Sequence, residues 1–239
     1  MRTKLFIPTI LILATVVLSA CSGTVQFGQT QPRMINVTGN AQVVLAPDIA
    51  YVSIGVHSEA KSATEAVASN NSQTQSVIDE IKGQGVDAKD IQTTNFSVYQ
   101  QEKFAPTGES LGIFFMTDNT VYVTMRDITK IGDILDKSIS AGANNIYGIT
   151  FDVQDKAAAT ASGREQAIAD AKTQAEQLTA ATGSTLGEVQ NISYYSNPPT
   201  PYYYDNKAGG ALAAEAASVP IQPGQLTLMV SVNITYGLK

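Results

Sequence analysis

Tryptophan is absent from this 239-residue chain, and cysteine and histidine occur once each, as Cys21 and His57. A single cysteine cannot close a disulfide within the chain, so the fold must be held by core packing. One cysteine and one histidine are also too few for the His/Cys clusters that hold zinc, and no metal or cofactor is expected. A Ser-His-Asp site would have to use His57, and no Gly-x-Ser-x-Gly elbow accompanies it. His57 instead ends a strand on its polar face, no catalytic residue is assigned, and the chain is read as a non-enzyme. Charged residues are few, with 15 Lys and Arg against 21 Asp and Glu. The basic residues form no cluster, so no nucleic-acid partner is expected. Acidic residues such as Asp133, Asp136, Glu165 and Asp170 sit on amphipathic helices as solvated faces. No stretch approaches the ~20 consecutive apolar residues that a membrane span needs.

What is present begins with Leu18-Ser19-Ala20-Cys21, which follows Arg2, Lys4 and a short apolar run. This is the pattern of a lipobox: a basic start, a core too short to span a bilayer, and small residues before the cleavage point. Residues 1–20 are expected to leave as a signal and Cys21 to become the acylated first residue, so that lipid at Cys21 holds the chain to a membrane. Removal of Arg2 and Lys4 leaves 13 basic residues against 21 acidic ones, a net charge of −8. Residues 21–33 are polar and without periodicity and read as a flexible tether. The folded domain is expected over 34–239, extracytoplasmic on the periplasmic or cell-surface side of a bacterial membrane.

From Asp48 to Val56 the positions Ala50, Val52, Ile54 and Val56 are apolar and alternate with Ser53 and Gly55, which predicts a half-buried strand. Ser58 to Lys82 changes to helical spacing, with Ala63, Val67, Thr74, Val77, Ile78 and Ile81 on one stripe and Gly83 and Gly85 as stops. Strands at about 91–103 and 113–126 flank the turn Ala105-Pro106-Thr107-Gly108 and form a hairpin. Asp127 caps a helix with the stripe Ile128, Ile131, Leu135 and Ile139, closed by Gly142; a strand follows over Ile146–Val153. Asp155 caps the longest helix, 156–182, with Ala161, Ile168, Ala175 and Leu178 inward and Gly183 at its end. Gly83-Gln84-Gly85-Val86-Asp87-Ala88 formally fits a dinucleotide fingerprint, but it follows a helix and precedes a strand, so it is a helix cap.

The last strand is the clearest. Leu226, Leu228, Val230, Val232, Ile234 and Tyr236 alternate with Thr227, Met229, Ser231, Asn233 and Thr235. Such alternation predicts an α+β fold, a mainly antiparallel sheet with helices packed on one face. Ile91, Phe96 and Val98 recur at the same spacing as Ile146, Phe151 and Val153, each set after a helix closed by glycine, which suggests two related helix–strand units. Residues 197–223 break the rhythm with five prolines, Tyr202-Tyr203-Tyr204, Gly209-Gly210 and a helix-prone Ala211–Ala217 stretch. Together with Tyr194 and Tyr195 the tyrosines of this insertion form a candidate binding loop.

The order of the segments resembles the SIMPL domain, the DUF541 family of YggE-like bacterial envelope proteins. The resemblance rests on Ile35-Asn36-Val37-Thr38-Gly39, Ala46-Pro47-Asp48, Gly55-Val56, Gly85 and Asp90-Ile91-Gln92-Thr93. It continues through Ala141-Gly142-Ala143-Asn144-Asn145-Ile146, Gly148-Ile149-Thr150-Phe151, Arg164, Ala167-Ile168, Asp170-Ala171-Lys172 and Pro220-Ile221-Gln222-Pro223-Gly224, covering about 34–238. It implies an extracytoplasmic protein loosely associated with envelope integrity and oxidative stress, oligomeric members, and no functional residues to carry over. The chain departs from the family at Ile113-Phe114-Phe115-Met116 and in carrying a lipobox. The expected role is a lipid-anchored structural or interaction module without catalysis, a homo-oligomer with a further envelope protein as partner. The alternative is a small-molecule or peptide-binding module using the tyrosine loop, and a hydrolase ranks below both. Self-association is expected through an open sheet face carrying Tyr51, Tyr122, Tyr147 and Met229, next to Phe114 and Phe115.

Overall fold

The alternating strands of the middle of the chain pair as the pattern demands. In the computed structural model, which describes residues 32–201 and 220–239, β2 (Ile49–Ala60) and β4 (Ser110–Met125) lie antiparallel, with Val52 opposite Val123 and Ile54 opposite Val121. β3 (Ile91–Phe104) pairs the outer side of β4 and β5 (Asn145–Asp152) the outer side of β2, giving the order β3-β4-β2-β5. α1 (Ala63–Gly83) connects β2 to β3 and α2 (Ile131–Ser140) connects β4 to β5. This β-α-β-β-α-β path with an all-antiparallel sheet is the ferredoxin-like double split β-α-β. The repeat of Ile91–Val98 and Ile146–Val153 therefore marks equivalent edge strands, each following its own helix.

The remaining elements form a second unit around the first. β1 (Met34–Leu45) and β6 (Leu186–Ser196) flank β8 (Leu226–Leu238), while the two-residue β7 (Thr200–Pro201) also pairs β8; α3 (Lys156–Thr182) leads into β6. The single sheet expected from the sequence is thus two four-stranded sheets, each with its helices on one face. Two separate cores follow. One packs Val52, Ile54 and Val56 with Val121, Val123, Val77, Ile81, Ile131 and Leu135; the other packs Leu228 to Tyr236 with Val37 and the alanines of α3. The two connecting segments are tied where they cross, as Asp48 N–H donates to Asp152 C=O at 3.2 Å and Gln154 N–H to the Asp48 carboxylate at 2.7 Å.

Three helical stripes differ from the expected ones. β2 continues through Ser58 to Ala60, and α1 starts only after Ser62, whose hydroxyl accepts from Glu65 N–H. Its buried stripe is Ala66, Asn70, Thr74, Val77 and Ile81, because the polar middle carries Asn70 into the core to donate to the carbonyls of Val56 at 2.8 Å and Thr117 at 3.0 Å. In α2 the buried set is Ile131, Ile134, Leu135 and Ser138, and Ile139 is exposed. In α3 Asp155 and Gly183 cap the helix as expected, but the inward stripe is Gly163, Ala167, Ala171, Ala175 and Thr179, leaving Ile168 and Leu178 outside. The cause is close approach to β1: a Cβ on Gly39 would lie 2.0 Å from the Ala167 carbonyl oxygen. Only small side chains fit between backbones that near.

Candidate functional site

Because α1 and α2 cover one face of the β3-β4-β2-β5 sheet, the side chains alternating with its core residues line an uncovered face. Gln92, Tyr122, Ser53 and Tyr147 form one row across all four strands, since these residues are register partners. Tyr51, one row along, stacks on Tyr122 with ring centroids 5.5 Å apart and planes 16° from parallel. Burial raises the Tyr122 phenol above its ordinary value, reinforced by Tyr51 and the charge of Asp152. Asp152 in turn holds Lys156, whose pKa it raises by accepting its hydrogen bond.

Two rows from Tyr147 the sole histidine meets its partner. His57 Nδ1 lies 2.6 Å from Asp118 Oδ1 on the facing strand. A carboxylate can only accept, so Nδ1–H is the donor of this bond. The backbone at His57 is clamped by Asn144, whose amide accepts from His57 N–H and donates to His57 C=O, each at 2.7 Å. Tyr99 of β3 leans on the same carboxylate; burial and then the Asp118 charge raise its phenol. Tyr147 crosses the centre of the face above Gly55, where a Cβ would meet its ring at 3.2 Å. Tyr99 and Tyr147 are 46% and 57% exposed, so the face presents aromatic area to solvent.

The arrangement offers flat aromatic contact and the paired imidazole and carboxylate of His57 and Asp118. Among the described residues no group of three or more His, Cys, Asp or Glu is placed to hold a metal ion. Sequence reasoning placed Tyr51, Tyr122 and Tyr147 on this face but did not supply Asp118 or Tyr99 as partners of His57. The signal was available only through strand register. Met229, expected on the same face, belongs to β8 in the other sheet, and Phe115 points to the helix side while Phe114 lies on the open face beneath Lys103. The Gly83–Ala88 segment is the helix cap expected of it, with Gly85 at φ 93° donating to Lys82 C=O.

Of the candidate binding loop, Tyr194 and Tyr195 lie on strand β6 and point to opposite faces of its sheet, because successive strand residues alternate. Arg164 of α3 stacks over the Tyr194 ring at 4.6 Å. Cys21 and Tyr202, Tyr203 and Tyr204 lie outside the described residues. A cleft of about 500 Å³ runs between Ile149–Asp152 of β5 and the segments holding Pro199, Pro201 and Gln222–Leu226.

Comparison with known proteins places the whole arrangement. The SIMPL family model, described as a protein of unknown function (DUF541), matches residues 35–236. The chain belongs to the SIMPL family. It is 31% identical to a 26 kDa periplasmic immunogenic protein of Brucella melitensis over 217 residues, 88% of this chain and 86% of that one. It is 30% identical to the uncharacterized protein YggE of Escherichia coli K12 over 179 residues, 74% of this chain and 72% of YggE. A YggE of Edwardsiella ictaluri is 29% identical over 158 residues, 66% of each chain. None of these names specifies a catalytic activity. The SIMPL match spans both sheets, so the ferredoxin-like unit and the split unit around it belong to one family domain. No described helix is long and apolar enough to cross a membrane.

Proposed function

We propose that this SIMPL protein is a non-catalytic interaction module of the bacterial envelope, held to a membrane by lipid at Cys21 and assembled with copies of itself through the open tyrosine face. The observation that carries the reading is that face: Tyr51, Tyr99, Tyr122 and Tyr147 gather on one side of a sheet whose helices cover only the other. Tyrosine suits a surface that must be both soluble and sticky, since each ring offers apolar area with a polar tip at low entropic cost. An extracytoplasmic, periplasmic-side location is favoured by the name of the Brucella relative and by the lipobox. A role in envelope or oxidative stress, and a further envelope protein as partner, are parts of the same proposal.

Intact mass of the protein extracted from membranes tests the anchor. Loss of residues 1–20 with lipid mass on Cys21 is expected, and a free thiol there contradicts the anchor. Cys21→Ser should remain an unlipidated precursor; if it is cleaved cleanly and stays on the membrane, the anchor lies elsewhere. A second reading, a peptide- or small-molecule-binding module using the tyrosines near the insertion, draws support from the Arg164–Tyr194 stack.

A further inference from the structure

The two sheets are covered unequally. On the four-stranded ferredoxin-like sheet α1 and α2 lie in contact side by side, whereas α3 alone serves the sheet of β1, β8 and β6 and lies mainly over β1 and β8. The helix-side face of β6 is covered only in part, α3 reaching it through Arg164 on the Tyr194 ring. Its residues there are Val189, Ile192 and Tyr194, opposite the core residues Tyr236, Ile234 and Val232, yet each is about half exposed. Beside this floor the flank of α3 presents Arg164, Ile168 and Lys172 at one-turn spacing. Lys172 meets Glu176 at 3.8 Å, but Arg164 makes no ion pair or hydrogen bond among the described residues, and its Nε is buried without a partner. A guanidinium stacked on an aromatic ring and lacking a counter-ion is a site for a carboxylate.

We propose that the channel between α3 and β6 receives an acidic amphipathic helix of a partner protein, its apolar stripe on Val189, Ile192 and Tyr194 and a carboxylate on Arg164. A helix is favoured over an added strand because these half-exposed side chains stand up into the helix layer, where a neighbouring strand would leave them uncovered. The proposal rests on the peptide-binding reading and uses the sheet that the tyrosine face does not. Replacing Tyr99 and Tyr147 therefore disrupts self-association and leaves this channel intact, so the two ideas fail separately.

The test uses the mature chain with Cys21→Ser and a labelled synthetic helix of about 15 residues. The peptide carries Leu at i, i+4 and i+7 and one Glu a turn beyond, with a second peptide having Gln there. Saturable binding of the Glu peptide is expected, weakened about tenfold by either Arg164→Gln or the Glu-to-Gln change, without further loss when both are made. Ile192→Ser should abolish binding, and Ser193→Ala, on the opposite face of β6, should leave it unchanged. Equal affinity for the two peptides, or no saturation at about 1 mM, overturns the proposal. Binding that emerges only after residues 202–219 are replaced by a Gly/Ser linker overturns it too, because the chain would then be filling its own channel.

Discussion

Asn70 shows how much a single side chain decides here. It is fully buried, and its amide donates to carbonyls of β2 and β4 at once, pinning α1 to both central strands. Asn70→Ala is expected to lower unfolding stability by about 2–3 kcal/mol, since it strands two buried carbonyls as well as opening a void; a loss below about 0.5 kcal/mol in urea melts would show that the pin is dispensable. The ion pair of Arg126 with Asp90 sets a second, pH-dependent expectation. Two guanidinium nitrogens donate to the carboxylate at 2.8 and 2.9 Å, and this hydrogen bonding holds the Asp90 pKa below its ordinary range. A carboxyl with a lowered folded-state pKa binds fewer protons than in the unfolded chain, so its stabilisation is complete above about pH 4 and is lost as the pH falls further. Arg126→Gln should therefore shrink the fall in Tm between about pH 5 and about pH 3, and an unchanged fall would assign acid sensitivity to other carboxylates.

Among the elements, α3 teaches most about what a sequence shows. Its caps were legible because Asp155 and Gly183 act locally, through one side-chain hydrogen bond to Ala158 N–H and one left-handed residue at φ 69°. Its buried face was not, because apolar size points to Ile168 and Leu178 whereas the small stripe is selected by Gly39, more than a hundred residues away. The same holds for the site: Tyr51 and Tyr122 could be placed by alternation, but Tyr99, Asp118 and His57 meet only through the register of β3, β4 and β2. Strands β1 and β6 carry too much polar exposure to announce themselves by pattern. Gly39→Ala is expected to cost about 3 kcal/mol or to prevent folding, because the added methyl meets helix backbone. Gly83→Ala, with open space around it, serves as the neutral control in the same thermal melt. Equal stability of the two variants would contradict the close approach of α3 to β1.

For the molecule as a whole, two cores and two sheets form one family domain whose helices leave sheet area uncovered. Burying the open tyrosine face against a second copy, at about 25 cal/mol per Å² of apolar area, can hold a symmetric assembly without any catalytic or metal chemistry. Replacing residues 202–219 by a Gly/Ser linker should leave the cooperative melt and the assembly in place, since β7 and Pro220–Gln225 on either side are retained. Loss of the melt would show that those residues help to hold the fold. The most direct test is light scattering of the soluble Cys21→Ser mature chain at micromolar concentration, beside the same chain carrying Tyr99→Ser and Tyr147→Ser. A defined species larger than a monomer, dispersed to monomer by the two replacements while the melt stays cooperative, is the expected result. A monomeric mass for both chains would contradict assembly through the tyrosine face.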